Sequence, residues 1–159
     1  MTRPLDGADQ PDGVARIVAR LPPAPLDEEL PAEPTRLAGL RRRVQAWAEQ
    51  HALAGDTVQD LQLALGEAVS NSIEHAYRGR PGGAVRVRLE IDGDGSVAGL
   101  VRDTGQWREA PVDRGFRGRG LSVIGELADD VVVDHPADGG TEVRFRLRLQ
   151  PRDGVSPPS

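Results

Sequence analysis

Three polar residues stand four apart in the segment Leu63-Ala-Leu-Gly-Glu67-Ala-Val-Ser-Asn71-Ser-Ile-Glu-His75-Ala-Tyr77. If this segment is helical, Glu67, Asn71 and His75 share one stripe. A carboxylate and an amide one turn apart offer a base and the oxygen ligands that a hard cation such as Mg²⁺ accepts. A solvated helix face presents the same pattern. Further along, Asp103-Thr-Gly105-Gln-Trp107 places an acid beside a glycine. Such a carboxylate can accept a hydrogen bond from the exocyclic amine of a base, or it can close an ordinary Asp-x-Gly turn. Gly115-Phe-Arg-Gly118-Arg-Gly120-Leu121 opens a further helix. Glycines there let backbone N–H groups and the helix dipole approach an anion such as phosphate. The run is not the full dinucleotide fingerprint, and no strand directly precedes it. Thr141 follows Gly139-Gly140 and starts a strand.

The elements that must position these residues follow from periodicity. Val14–Leu21 is apolar and β-branched enough for a first strand. Pro22, Pro23, Pro25, Pro31 and Pro34 make 22–34 a loop. Thr35 can cap a helix whose apolar face is Leu37, Leu40, Val44, Trp47 and Ala48, ending at Ala54-Gly55. A second helix begins at Asp56 and runs to about Tyr77, with Val58, Leu61, Leu65, Ala68, Val69 and Ile73 on its apolar face. Val85–Ile91 alternates as a strand, and Asp92-Gly-Asp-Gly95 turns it back into a hairpin partner over 96–101. Residues 103–120 read as a mobile loop. Leu121–Ala128 follows as a helix, Val131–Asp134 as a short strand and Thr141–Leu149 as the last strand. Strands clustered beside helices predict an α+β, two-layer sandwich. Its mixed, mostly antiparallel sheet is covered on one face by about three helices.

Composition narrows the class. The chain has 159 residues, the size of one domain, and no cysteine. The N-terminus lacks the apolar run of a signal peptide, and no stretch approaches the roughly 18 apolar residues of a membrane span. A soluble cytoplasmic protein is the reading, with no membrane partner. A net charge of −5 argues against general affinity for nucleic acid. All 20 basic residues are Arg. No lysine exists to hold a nucleotide phosphate, so a phosphate site must use backbone N–H groups, Arg or a metal.

Taken in order and spacing, the set resembles the ATP-binding (Bergerat) domain shared by gyrase, a heat-shock chaperone, sensor histidine kinases and the MutL mismatch-repair protein. Glu67 and Asn71 match its N box, Asp103 and Gly105 its first glycine box, Gly118, Gly120 and Leu121 its second, and Thr141 its late threonine. The phrase Gly-Glu67-Ala-Val-Ser-Asn71-Ser-Ile-Glu-His75-Ala-Tyr77 looks most like the bacterial anti-sigma-factor serine/threonine kinases. The resemblance implies a kinase domain over 13–149; the polar, Pro/Gly-rich residues 1–12 and the tail 150–159 are expected to be disordered. It implies ATP and Mg²⁺ as cofactors. Asn71 would ligate the metal bridging the phosphates. Asp103, supported by Thr141, would bind the adenine amine. Gly105 belongs to the same glycine box. Gly118, Arg119, Gly120 and Leu121 would hold phosphates under a lid at 106–117. Glu67 would be the general base for a serine hydroxyl. Arg114, Arg117 and Arg119 are candidates for neutralising charge on the transferred phosphoryl group. His75 is expected to pack near the helix end, and Trp107 to anchor the lid or lie on the nucleotide. The implied partners are a sigma factor, an anti-sigma antagonist phosphorylated on serine, and a second copy of the chain. A non-catalytic ATP-binding module that grips a protein partner fits the same residues, as does a detached histidine-kinase ATPase domain.

Overall fold

The computed structural model describes residues 24–77, 82–105 and 119–149. Their order is β1 (Leu26–Pro31), a 3₁₀ turn (Pro34–Arg36), α1 (Leu37–Gln50), α2 (Gly55–Ala76), β2 (Ala84–Ile91), β3 (Val97–Asp103), α3 (Arg119–Leu127), β4 (Asp130–Asp134) and β5 (Thr141–Leu147). The five strands form one sheet in the order β1-β2-β3-β5-β4. Each pairing is antiparallel, so the mixed component expected from sequence is not present among the described residues.

Period-2 alternation places one side chain set of each strand under the helices. Val85, Val87 and Leu89 of β2 stand beside Val97, Val101 and, on β5, Val143, Phe145 and Leu147, all buried. Gly99 lies opposite Phe145 in register. The ring crosses the space a side chain would take: a Cβ on Gly99 would stand 2.2 Å from Phe145 Cζ. α2 lies across β2, β3 and β5, with α1 and α3 packed against it. Its core face, Leu61, Ala64, Leu65, Ala68 and Val69, is almost free of solvent. α1 adds Leu40, Val44, Trp47 and Ala48, so the apolar periods of both helices are those expected.

Several boundaries differ from the sequence expectation. The stretch 22–34 contains β1, not only loop. Leu26–Pro31 is an edge strand paired on one side only, with Leu26↔Leu89 and Pro31↔Ala84 at its ends. An edge strand tolerates a terminal proline because one row of its N–H groups needs no ladder partner. The expected strand at 14–21 lies outside the described residues. Thr35 does not cap α1. It sits inside a 3₁₀ turn that Pro34 starts, and Arg36 occupies the cap position without a side-chain bond. Proline's preset φ and absent N–H suit it to open a turn. Asp103 ends β3, and α3, expected from Leu121, already includes Arg119; most of the mobile loop expected over 103–120 lies outside the described residues. β5 ends at Leu147.

Candidate functional site

β3 delivers Asp103 at its last residue, in register with Val85 on β2 and Thr141 on β5. The side chain is on the helix-covered face and only 2% exposed. Its Oδ1 accepts the N–H of Gly105 at 3.1 Å and the N–H of Thr141 at 3.1 Å. The Ser72 side chain of α2 adds a third hydrogen bond. Burial pushes the Asp103 carboxyl above its ordinary pKa. The three hydrogen bonds and the charge of nearby His135 oppose that push. The result is a dry carboxylate whose acceptor geometry is set by backbone and hydroxyl donors.

Two glycines let backbones close around it, and a third lies against Asn71. Gly140 has φ +83°, and a Cβ there would lie 1.9 Å from the Asp103 carbonyl oxygen. Only glycine combines that φ with that approach. Gly105 turns against the end of α2, where its missing Cβ would stand 2.2 Å from Ala76 Cβ. Gly120, in the first turn of α3, lies against Asn71: a Cβ there would be 2.6 Å from Nδ2 and 3.0 Å from Oδ1. The Asn71 amide therefore meets the start of a helix, where N–H groups lack intrahelical partners and the dipole is positive. Glu67, one turn earlier on the same helix, is half-buried and makes no hydrogen bond or ion pair among the described residues.

Asn71, Asp103, Gly105, Gly120 and Thr141 are thus gathered at one end of the sheet. Glu67 continues the Asn71 stripe along α2. Leu121 follows Gly120 and is exposed. His75 is exposed in the last turn of α2. Arg119 opens α3 through its backbone. Gly118, Arg114, Arg117, Trp107 and the lid at 106–117 lie outside the described residues.

Three residues at this end were not singled out from sequence. Ser72 is 7% exposed and bonds Asp103. Its signal was available: it stands four residues after Ala68, on the core face of α2, where a polar group requires a partner. His135 follows β4, with Nδ1 3.4 Å from Thr141 Oγ1. Tyr77 ends α2 and reaches the strand exits through its hydroxyl. Nothing in their local spacing distinguishes these last two.

This end of the fold sets an amide against a helix start and a buried acid between glycines. The model of the histidine kinase-like ATPase domain matches residues 30–147, and the chain belongs to that family. It is 30% identical over 122 residues to an anti-sigma F factor of Heyndrickxia coagulans, covering 69% of this chain and 82% of that one. A serine-protein kinase RsbW of Listeria monocytogenes is 27% identical over 117 residues, 65% of this chain and 74% of the relative. The solved RsbU and RsbW domains of Rv1364c from Mycobacterium tuberculosis superpose with a TM-score of 0.63 and 28% identity, over 84% of this chain. The matched part is 35% of that longer chain. Within the family, the chain falls among the anti-sigma-factor serine/threonine protein kinases, whose domain uses ATP.

Proposed function

We propose that this chain is an anti-sigma kinase that binds a sigma factor and, with ATP and Mg²⁺, phosphorylates a serine on an anti-sigma antagonist. The observation that carries the reading is the dry Asp103 carboxylate, held as an acceptor at the same end of the fold as Asn71 and Gly120. Asp103 accepts the adenine amine, with the Thr141 hydroxyl beside it. Asn71 would offer its amide oxygen to the metal. Gly105 keeps the strand exit close to α2. The backbone of Gly118, Arg119, Gly120 and Leu121 holds phosphate oxygens. Among the described residues no group of three His, Asp or Glu side chains can hold a metal by itself. A cation here would therefore complete its shell with phosphate and water oxygens, and it would supply charge neutralisation on the transferring group.

Glu67 takes the proton of the attacking serine hydroxyl as that oxygen bonds to the γ-phosphorus. The bond from phosphorus to the ADP oxygen breaks in the same transfer. An Arg from the set 114, 117 and 119 offsets charge on the moving group. Phosphoserine then adds charge to the antagonist's interface and releases it. A homodimer and a cytoplasmic location belong to the same reading. The names of the relatives support the kinase and anti-sigma parts of the reading.

The test is transfer from labelled ATP to candidate antagonist proteins. Glu67→Gln is expected to slow transfer by about 10²–10⁴-fold while ATP affinity stays within about twofold. Transfer by Glu67→Gln at the parent rate would remove the base from the mechanism. An absence of transfer by the parent chain, with sigma binding intact, would leave a binding module.

A further inference from the structure

Tyr77 closes α2, the helix that carries Glu67 and Asn71. Its hydroxyl donates to the Ala84 carbonyl at 2.6 Å and accepts the Thr104 N–H at 3.1 Å. The Thr104 hydroxyl stands 3.4 Å away. A phenol has one proton and two lone pairs, so these contacts use its whole capacity. The ring lies on Gly83, where a Cβ would stand 2.2 Å from Cδ1 and Cε1. Ala84 is the first residue of β2, and Thr104 is the residue between Asp103 and Gly105. One hydroxyl thus joins the end of α2, the start of β2 and the exit of β3.

Among the described residues the exit of β3 has few other holds. The Thr104 N–H lies beyond the last ladder pair, Asp103↔Thr141, so the phenol is its partner. Gly105 comes next, and its N–H bonds back to Asp103 Oδ1. A shift of Thr104 moves that N–H and with it one donor that aims the carboxylate. A glycine at the pivot offers no resistance of its own.

We infer that Tyr77 is a positioning residue of the nucleotide site. Its hydroxyl keeps the Asp103 carboxylate in register with the Asn71 amide, so that one ligand meets both. The inference rests on the reading of this end as an ATP site. The Tyr77 hydroxyl meets the backbone of Ala84 and Thr104 and neither Asp103 nor Asn71. It acts through Thr104.

Tyr77→Phe keeps the ring on Gly83 and deletes only the hydroxyl. Calorimetric titration with Mg-ATP is expected to show affinity weaker by about tenfold. Trp47→Phe is the reference, since it removes a side-chain donor to a backbone carbonyl, Trp47 Nε1 to Ala24 O at 2.9 Å, near the other end of β1. It is expected to lower the melting temperature and leave ATP affinity within about twofold. Thr104→Val deletes the more distant hydroxyl but keeps the N–H, and it should also stay within about twofold. Gly83→Ala displaces the ring without altering Tyr77, and it should weaken ATP by a similar factor to Tyr77→Phe. This keeps the question open to measurement if Tyr77→Phe does not fold. A Tyr77→Phe or Gly83→Ala protein that melts lower but binds ATP like the parent makes Tyr77 merely structural and overturns the inference. A parent chain that binds no ATP overturns the nucleotide reading itself, and the inference falls with it.

Discussion

Asp27 and Asp103 lie on opposite faces of one sheet, and their surroundings drive them in opposite directions. Asp27, on β1, faces the side that no described helix covers. Arg86 grips it with Nε at 2.9 Å and an Nη at 2.7 Å, and Arg88 adds a contact at 2.9 Å. The Arg86 hydrogen bonds, with help from Arg88, hold its carboxyl down to about 2. Asp103 is under the helices and is pushed up by burial. A wet sheet face balances a carboxylate with guanidinium groups. At Asp103 the covered face balances it with backbone N–H groups and a hydroxyl. A carboxylate forked by two arginines has little acceptor capacity left for a ligand amine. One held by neutral donors in a dry site can still discriminate, which is the reading given to Asp103.

The uncovered face extends this pattern. Arg102 pairs with Asp138 and Glu142, Arg144 with Asp134 and Glu142, and Arg146 with Asp92 and Asp94. Such exposed pairs contribute little each and set solubility more than stability. On the covered face Glu28 pairs with Arg43 of α1, whereas Asp103 is held by three neutral donors. Asp27 also accepts three hydrogen bonds, all from guanidinium groups, so the two carboxylates differ in the charge of their donors and not in the number.

The largest expected break in the comparison is Gly140→Ala. The left-handed φ of +83° and a Cβ 1.9 Å from the Asp103 carbonyl force either β5 or Asp103 to move. Loss of more than ~2 kcal/mol in urea unfolding is expected, together with loss of ATP binding. Gly139→Ala is its partner control: φ is +96° but nothing lies within 4 Å of the added carbon. It should cost only the backbone strain, about 1 kcal/mol.

Next in size is Asp103→Asn. It removes the charge and half the acceptor capacity, so ATP should bind about 10- to 100-fold more weakly by titration. Stability should move the other way. A raised folded-state pKa means that the protonated form is favoured by folding. That contribution is present below the ordinary carboxylate range and is lost as pH rises through the raised value. At neutral pH the parent therefore carries a penalty that the amide lacks, and Asp103→Asn should melt at the same temperature or higher. Melting curves across pH 3–8 check the crossing.

The smallest effect is expected at Asp27. Its folded pKa is lowered, so its contribution is present above the ordinary 3.8 and disappears as pH falls toward about 2. Asp27→Asn should cost under about 1 kcal/mol at neutral pH, because the pair is solvent-screened. The difference from the parent should vanish in acid unfolding near pH 2 and shrink at high salt, with ATP affinity unmoved.

Much of the fold was legible. The alternation of Val85–Ile91 and Thr141–Leu147 and the three-four spacing of Leu37–Ala48 and Val58–Ile73 each predict the observed element. These signals are local, because a buried face imposes its own period on the residues that form it. The edge strand Leu26–Pro31 was hidden by its prolines, whose restriction applies to a ladder with two neighbours and not to one with a single neighbour. Asn71, Asp103, Gly105, Gly120 and Thr141 were singled out by order and spacing, and the fold gathers them at one end of the sheet. Ser72 showed only as a polar residue in an apolar stripe.

The sequence by itself determined the α2 stripe of Glu67 and Asn71, because helical period and residue type are properties of one segment. It also determined which glycines punctuate the strand exits. Only the tertiary structure decided that Asp103 is dry, that Ser72 and Thr141 aim it, and that Tyr77 ties its exit to α2. Those facts depend on segments far apart in the chain meeting at hydrogen-bond distance. Burial and donor geometry are properties of that meeting, not of any one segment's pattern.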